Sequence, residues 1–162
     1  MAKHSKGTPA VQALEKAKVG FTLHEYDFAA VPGQIGIQAA EAMGVAPERV
    51  FKTLMAVIDD KELVVAIVAV DREVDLKALA KAAGGKRAAM ADVPQAERAT
   101  GYVKGGISPF GQKKRHRTFL DEAASGQATV IVNGGRRGLQ IELAAGALLE
   151  VTGGVAGAIA RG

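Results

Sequence analysis

Two long apolar segments that can pair with each other constrain the fold of this chain more than any other feature of its sequence. Residues 50–58 and 62–70 consist mainly of Val, Ala, Ile and Leu, and only Asp59, Asp60 and Lys61 separate them. A short polar turn between two segments of high β-propensity is typical of an antiparallel hairpin. Because the second segment is apolar at almost every position, it is typical of a central strand that is buried on both faces. The sequence therefore predicts a β-sheet at the core of the fold.

Helices are predicted on both sides of this hairpin. Thr8, Asp75 and Asp92 each precede a segment in which apolar residues recur at helical spacing, and such side chains cap the first turn of a helix. The same spacing predicts helices over 35–43 and 145–151, and a short helical turn over 47–49.

Further strands are predicted where apolar and polar residues alternate, over 21–26, 118–120, 129–132 and 139–143. The Ala- and Gly-rich segment after Gly153 is predicted to be a frayed end. Because strands outnumber the longer helices and several are joined by short turns, the pattern favours an α/β fold of the mixed α+β class. We expect a mixed, largely antiparallel sheet or barrel surrounded by helices.

Length and composition limit the chemistry that the chain can perform. A chain of 162 residues is typical of one domain, so we expect a single domain over 1–162. It contains no cysteine, which excludes disulfide bonds, thiolate zinc sites and a cysteine nucleophile. His4, His24 and His116 are too far apart in sequence to suggest a metal site, and we expect no metal and no cofactor. Because no apolar run has signal-peptide or membrane-spanning length, we expect a cytoplasmic protein with no membrane partner.

The charge balance favours an anionic partner. Lys and Arg number 21 against 17 Asp and Glu, which gives a net charge of +4. The run Lys113, Lys114 and Arg115 and the pair that begins at Arg136 are candidates for contacts with nucleic-acid phosphates. The alternative is that both are solvated charged surfaces. Since aromatic residues are only 4% of the chain, phosphate contacts rather than base stacking should dominate any RNA binding.

Two further features are candidates for a reactive site. Lys52 interrupts the first apolar strand, so it is either a solvent-facing lysine or a cation that binds a phosphate or carboxylate in a cleft. The pair Gly105 and Gly106 is either part of an ordinary loop or a place where backbone amides can approach a carbonyl or an oxyanion. Ser108 lacks the second glycine of a nucleophile elbow, which argues against a serine hydrolase.

Taken together, these segments resemble the YbaK/EbsC family, which is related to the editing domain of prolyl-tRNA synthetases. The resemblance covers nearly the whole chain in order, and its most specific block is 105–115. The other matching segments are 8–11, 50–54, 91–92, 100–102, 134–139 and 141–143. The resemblance implies an aminoacyl-tRNA deacylase that hydrolyses mischarged Cys-tRNA(Pro), and also Cys-tRNA(Cys), to free tRNA and amino acid.

The resemblance also implies roles for individual residues. Lys52 matches the signature lysine of the family, which positions the terminal adenosine or its phosphate, and the loop that begins at Gly105 and Gly106 holds the aminoacyl carbonyl. The remaining substrate contacts fall at Tyr26, Thr53, Tyr102, Ile107, Ser108, Pro109, Asn133 and Gln140. Two of these positions depart from close relatives, which carry serine in place of Asn133 and aspartate in place of Gln140. The second departure puts the preferred amino acid in doubt more than the reaction.

The mechanism implied by the family agrees with the absence of nucleophiles in the chain. A cysteinyl ester carries its own thiol, which can attack the adjacent ester carbonyl once it is ionised. The partners implied are aminoacyl-tRNA and prolyl-tRNA synthetase, with no role for DNA. Two alternatives stay open, namely a deacylase for another mischarged amino acid and a non-catalytic module that binds tRNA or a synthetase.

Overall fold

A computed structural model describes residues 7–27 and 35–162. The helices are α1 (Pro9–Ala17), α2 (Ile35–Met43), α3 (Leu76–Ala82), α4 (Val93–Thr100) and α5 (Ala145–Thr152). The strands are β1 (Thr22–Glu25), β2 (Phe51–Ile58), β3 (Glu62–Ala69), β4 (Glu73–Val74), β5 (Ala88–Met90), β6 (Arg117–Asp121), β7 (Val130–Asn133), β8 (Leu139–Leu143), β9 (Val155–Gly157) and β10 (Ala160–Arg161). Short 3-10 helices lie at Pro47–Arg49 and Glu122–Gly126.

The predicted hairpin is the centre of the larger sheet. Strands β2 and β3 pair antiparallel from Phe51 opposite Ala69 to Ile58 opposite Glu62. The sheet has the order β5-β2-β3-β6-β9, with β6 and β9 added in parallel. Every residue of β3 from Val64 to Ala69 is buried, which explains why its sequence is continuously apolar rather than alternating.

A smaller antiparallel sheet with the order β1-β8-β7 packs beside the larger one. A parallel bridge between Val50 and Ile131 connects the two sheets. Across the described residues, five of the seven strand pairings are antiparallel, which confirms the predicted mixed, largely antiparallel sheet with helices around it. The side chains between the two sheets form the main core together with α1 and α5.

The predicted caps form and fix where helices begin. The side chains of Thr8, Asp75 and Asp92 accept hydrogen bonds from Val11 N, Ala78 N and Gln95 N, respectively. Thr8 also donates its hydroxyl to the Gly134 carbonyl at 2.6 Å, which ties the start of α1 to the turn between β7 and β8.

The prediction of a frayed C-terminal end is wrong. Residues after Gly153 form β9 and β10, and the Ile159 side chain is fully buried. The Asp121 carboxylate accepts hydrogen bonds from the backbone N–H groups of Ile159 and Ala160, which fixes this segment against the sheet. Small residues therefore make strand contacts here that their composition did not indicate.

None of the helices in the described part of the chain is long and apolar enough to cross a membrane. Residues 1–6, for which the sequence predicts no signal peptide, lie outside the described residues.

Candidate functional site

A cleft of about 400 Å3 opens where the two sheets separate. A bridge joins Val50, just before β2, to Ile131 of β7, and farther along the two strands Thr53 and Asn133 both line the cleft. Helix α2 forms part of the wall with Gly36, Ile37 and Ala39. The remaining lining residues are Val50, Phe51, Lys52, Leu54, Met55, Val70, Met90, Ala91, Val93, Ala96, Lys104, Gly105, Ile107 and Gln140.

The cleft exists because one edge of β2 is left partly uncovered. Strand β5 pairs only with Ala56–Ile58, at the far end of β2, and Ala91 N adds one hydrogen bond to the Met55 carbonyl. Among the described residues, no strand pairs with this edge along the first half of β2, and all residues from Phe51 to Met55 line the cleft. An unpaired strand edge offers backbone donors and acceptors to whatever lies beside it.

Lys52 is held at the cleft with little help from other charged groups. Its side chain is 26% exposed, and its Nζ lies 3.8 Å from Oε2 of Glu73, whose own side chain is 69% exposed. Such a loose and solvated pair contributes little to stability. The ammonium group is therefore free to exchange this contact for an anionic or carbonyl group of a ligand.

The Gly-rich loop that follows α4 contributes its first half to the cleft. Gly105 and Ile107 line it, whereas Gly106 is buried. The Gly106 N–H donates to the Val103 carbonyl at 2.8 Å, so it is already satisfied. Within the described residues the amides of Gly105 and Ile107 have no such acceptor, and both residues line the cleft, so these two amides can donate to a ligand.

The side-chain amide of Asn133 holds this loop in place through two hydrogen bonds. Its Nδ2 donates to the Gly105 carbonyl at 3.1 Å, and its Oδ1 accepts from Gly135 N at 2.6 Å. The side chain thus connects the loop to the turn between β7 and β8. Asn133 lines the cleft, but both ends of its amide are occupied by the protein.

Two buried polar atoms in the cleft have no partner within the described part of the chain. They are Oγ1 of Thr53 and Oε1 of Gln140, whose residues are 8% and 5% exposed. The other end of the Gln140 amide donates from Nε2 to the Tyr26 hydroxyl at 3.3 Å, so Tyr26 reaches the cleft through Gln140. A buried polar atom without a partner costs free energy, about 1–3 kcal/mol, unless a ligand or water satisfies it.

Four residues that the resemblance places in the substrate pocket lie outside this lining, namely Tyr26, Tyr102, Ser108 and Pro109. The Ser108 side chain is fully buried, and its Oγ accepts from Phe110 N. Tyr102 is 4% exposed and donates its hydroxyl to the Phe110 carbonyl at 2.6 Å. Burial raises the pKa of the Tyr102 hydroxyl well above its ordinary value, so the phenol stays protonated. Pro109 faces a different groove.

The cations predicted to bind tRNA lie outside the cleft. Lys113, Lys114 and Arg115 are exposed, and the last two line that second groove with Pro109. Arg136 donates from Nη2 to Oε2 of Glu25 at 2.8 Å, so its guanidinium is held at the end of β1.

Several lining residues were not found from the sequence. Lys104 precedes the glycine pair directly, and a cation at that place was a signal that could have been used. The apolar wall formed by α2, Val70 and Met90 left no such signal, because core and cleft positions have the same composition.

The chemistry available in the cleft follows from its lining. Among the described residues, those that line it include no His, Asp, Glu, Cys or Ser, and no group of three or more such metal-binding side chains is present elsewhere. The described lining therefore offers two ammonium groups, backbone amides, a hydroxyl and an amide oxygen, but no carboxylate or imidazole base. It can bind and orient a substrate with polarised carbonyl and phosphate groups.

Gly106→Ala is expected to disrupt the loop. A Cβ at this position would lie 2.9 Å from Cα and 3.1 Å from the carbonyl carbon of Arg136, both backbone atoms that cannot move aside easily. We expect a loss of about 1–3 kcal/mol in the free energy of unfolding, measured by urea denaturation. Gly146→Ala is the control, because a Cβ there meets nothing within 4 Å, and alanine in helix α5 should stabilise by about 0.5–1 kcal/mol. Equal stability of the two variants would contradict the close approach.

Comparison with known proteins identifies the family. The family model described as the aminoacyl-tRNA editing domain matches residues 35–151. A relative from Enterococcus faecalis (strain ATCC 700802 / V583), named as the Cys-tRNA(Pro)/Cys-tRNA(Cys) deacylase EbsC, is 40% identical over 153 residues, which cover 94% of this chain and 92% of that protein.

Two solved structures share the fold. A trans-editing enzyme for prolyl tRNA synthetase superposes with a TM-score of 0.83 at 23% identity, covering 100% of this chain and 99% of the other. The hypothetical protein APE2540 gives a TM-score of 0.84 at 20% identity, covering 94% and 99%. These identities are too low to carry more than the fold. The sequence resemblance is confirmed, and the chain belongs to the aminoacyl-tRNA editing domain family.

Proposed function

We propose that this chain is an aminoacyl-tRNA deacylase that removes cysteine from mischarged Cys-tRNA(Pro), and from Cys-tRNA(Cys). The observation that carries the proposal is a cleft that combines Lys52, available loop amides and two unpartnered polar atoms, with no His, Asp, Glu, Cys or Ser among its described lining residues. Such a site suits a substrate that supplies its own nucleophile. The 40% identical relative, which is named as a deacylase of this specificity, supports the proposal.

The reaction proceeds in two steps. The substrate thiol loses its proton to solvent, and the thiolate sulfur attacks the ester carbonyl carbon. The bond between that carbon and the terminal ribose oxygen breaks, the oxygen takes up a proton, and tRNA leaves. A strained cyclic thioester remains, and water hydrolyses it to cysteine. No oxidant, reductant or covalent enzyme intermediate takes part.

The protein accelerates this reaction by positioning. Lys52 holds the terminal nucleotide, and the Gly105 and Ile107 amides bind the ester carbonyl where negative charge develops. One well-placed donor of this kind contributes about 2.7–4 kcal/mol to transition-state stabilisation. Folding the ester so that sulfur lies about 3–3.5 Å from the carbonyl carbon contributes further through proximity.

A second candidate activity is supported by Gln140. Its unpartnered Oε1 can accept a hydrogen bond from a substrate ammonium group but carries no charge to attract it. A carboxylate at this position would bind the ammonium more tightly. The neutral amide is therefore compatible with a preference for a different amino acid. The alternative is therefore a deacylase for another mischarged amino acid.

A panel of aminoacyl-tRNAs separates these possibilities. The protein is incubated with tRNA(Pro) charged with cysteine, alanine, serine or proline, and with Cys-tRNA(Cys), and released amino acid is measured against a reaction without protein. Release of cysteine supports the first proposal, and preferential release of another amino acid supports the second. Binding of tRNA without release of any amino acid would leave a non-catalytic binding module and would overturn both.

Prolyl-tRNA synthetase is the proposed partner. The cleft contains few groups that could distinguish one tRNA from another, so selection of tRNA(Pro) has to come from elsewhere. We expect addition of the synthetase to accelerate hydrolysis of Cys-tRNA(Pro) at low deacylase concentration, whereas a synthetase for another amino acid should have no effect. Equal rates with both synthetases would contradict the partnership.

Neutralising Lys113, Lys114 and Arg115 together is expected to weaken tRNA binding in a salt-dependent way. All three are exposed, and each phosphate contact that is lost should reduce the slope of log affinity against log salt by about 0.9 on a duplex. The measurement is tRNA binding from about 50 to 300 mM salt. An unchanged slope would assign these cations to a solvated surface.

A further inference from the structure

A second groove of about 510 Å3 lies beside the Gly-rich loop and has no part in the cleft. It is bordered by the end of α1, by the segment before β6 and by the end of α5. The loop contributes Pro109, Phe110 and Gly111 to this groove, whereas Gly105 and Ile107 face the cleft. One loop therefore separates two concave surfaces.

Cations from two separate elements meet at this groove. Lys16 comes from the last turn of α1, and Lys114 and Arg115 come from the segment before β6. Glu150 of α5 is the acidic residue that faces them. In the part of the chain that the structure describes, neither Lys16 nor Lys114 has a carboxylate partner, and Arg115 donates to the Thr152 carbonyl at 3.2 Å.

The interior of the groove suits a nucleotide better than an isolated ion. Its lining also contains apolar residues beside the cations, among them Ala13, Ala17 and Phe110. A ribose or base can pack against these residues while the attached phosphate contacts the ammonium groups. The net positive charge of the chain, +4, agrees with a polyanionic occupant.

The groove and the cleft are close enough to bind the same RNA strand. Gly105 and Gly111 are six residues apart, so they lie within about 20 Å even if the loop were extended. A strand in a duplex advances about 3.4 Å per nucleotide, so on the order of six nucleotides span this distance.

We infer that the second groove is a phosphate-binding site for the RNA backbone next to the aminoacylated end, with Lys16 as a contact that α1 supplies. This inference rests on the proposed function, because it takes the RNA in the cleft and the RNA in the groove to be one molecule. The inference adds helix α1 to the RNA-binding surface, which the sequence did not predict. It also places Lys114 and Arg115 in a groove, where the sequence showed them only as part of a basic segment.

The test compares two lysines in matched positions. Lys16 and Lys81 are both exposed and both lie in the last turn of a helix, but Lys81 lies on α3 and lines neither surface. Binding of uncharged tRNA to Lys16→Gln, Lys16→Arg and Lys81→Gln is measured from about 50 to 300 mM salt. Because uncharged tRNA is used, the result does not depend on whether the protein hydrolyses any ester.

We expect Lys16→Gln to weaken binding fivefold to eightfold at about 0.1 M salt and to lower the salt slope by about 0.7–0.9, as for one lost phosphate contact. Lys16→Arg should keep the slope, and Lys81→Gln should match the wild-type protein. Equal losses from Lys16→Gln and Lys81→Gln would overturn the inference, because only net charge would then matter. Unchanged RNA affinity of Lys16→Gln would also overturn the inference. The same holds if this variant keeps its RNA affinity but loses binding to prolyl-tRNA synthetase.

His116 offers an independent measurement inside the groove. Burial and the neighbouring Lys114 lower the pKa of its imidazole, and its Nδ1 lies 2.9 Å from Oε1 of Gln112. Of the charged groups that line the groove, Lys16, Lys114 and Arg115 disfavour its protonation and Glu150 favours it. A phosphate bound among them should therefore raise the pKa of His116, followed by NMR with a short RNA hairpin as the probe. A pKa that does not move at saturating RNA would contradict occupancy of the groove.

Discussion

Lys52→Ala is expected to lower the rate of Cys-tRNA(Pro) deacylation by at least about a hundredfold while the protein stays folded. A charge-assisted contact that is made at the reacting end of the substrate contributes about 2.7–4 kcal/mol when it is optimally placed. Its loss cannot be replaced, because Lys104 is the other cation among the described residues that line the cleft, and it lies on the loop and not on β2. The measurement is single-turnover hydrolysis at saturating enzyme.

Stability should change little in this variant. The Lys52 side chain is 26% exposed, and its loose contact with Glu73 contributes at most a few tenths of a kcal/mol after solvent screening. Glu73→Gln is the matched control, since it removes the carboxylate and leaves the ammonium group in place, and we expect its activity to stay within about twofold of wild type. Lys52→Ala activity within the same range would show that the lysine has no role in the reaction.

The second large effect concerns the substrate rather than the protein. Cys-tRNA(Pro) should be hydrolysed orders of magnitude faster than the same tRNA charged with S-methylcysteine or with serine. A thiol with an ordinary pKa of about 8.5 is partly ionised at neutral pH, whereas a methylated sulfur and an alkyl hydroxyl supply no comparable nucleophile. Serine is nearly isosteric with cysteine, so pocket size cannot produce the difference. The comparison uses release of each amino acid under identical conditions.

Ser108→Ala tests the opposite possibility, that the protein supplies the nucleophile. Because the Ser108 hydroxyl is fully buried and accepts from Phe110 N, its removal should affect the local loop and not the chemistry. We expect activity within about tenfold of wild type in protein that is shown to be folded by circular dichroism. Rapid hydrolysis of the S-methylated ester would exclude attack by the substrate thiol. A deacylation rate that falls by several orders of magnitude in folded Ser108→Ala would exclude it as well.

The cleft differs in its acid–base properties from active sites in which a protein side chain acts as the general base. No imidazole or carboxylate lies among the described lining residues, so the pH dependence of the reaction should follow ionisation of the substrate thiol and rise toward its pKa. An enzyme with its own general base would instead show a profile set by a protein group. The same feature explains why the sequence contains none of the usual catalytic motifs.

The sequence by itself determined the elements of the fold and the family. Two apolar segments separated by a short polar turn predicted the β2–β3 hairpin, and cap residues such as Thr8 and Asp92 predicted helix starts that agree with the structure. These features are local, since a cap or a hairpin turn depends on residues only a few positions apart. The short strands β4, β5, β9 and β10 were missed, because a segment of two or three residues is too short to show a periodicity and forms a strand only through its pairing with neighbours.

Only the tertiary structure decided what each candidate residue contacts. Asn133 and Gln140 are both polar residues near the ends of neighbouring strands. The Asn133 amide makes hydrogen bonds with Gly105 and Gly135, whereas the side-chain oxygen of Gln140 has no partner among the described residues. Lys16 and Lys114 are 98 residues apart and meet at one groove. Residue type and spacing specify which groups can react, but hydrogen-bond partners and cavities arise from contacts between distant segments. Those contacts depend on how the two sheets and α1 pack, and no local pattern in the sequence records them.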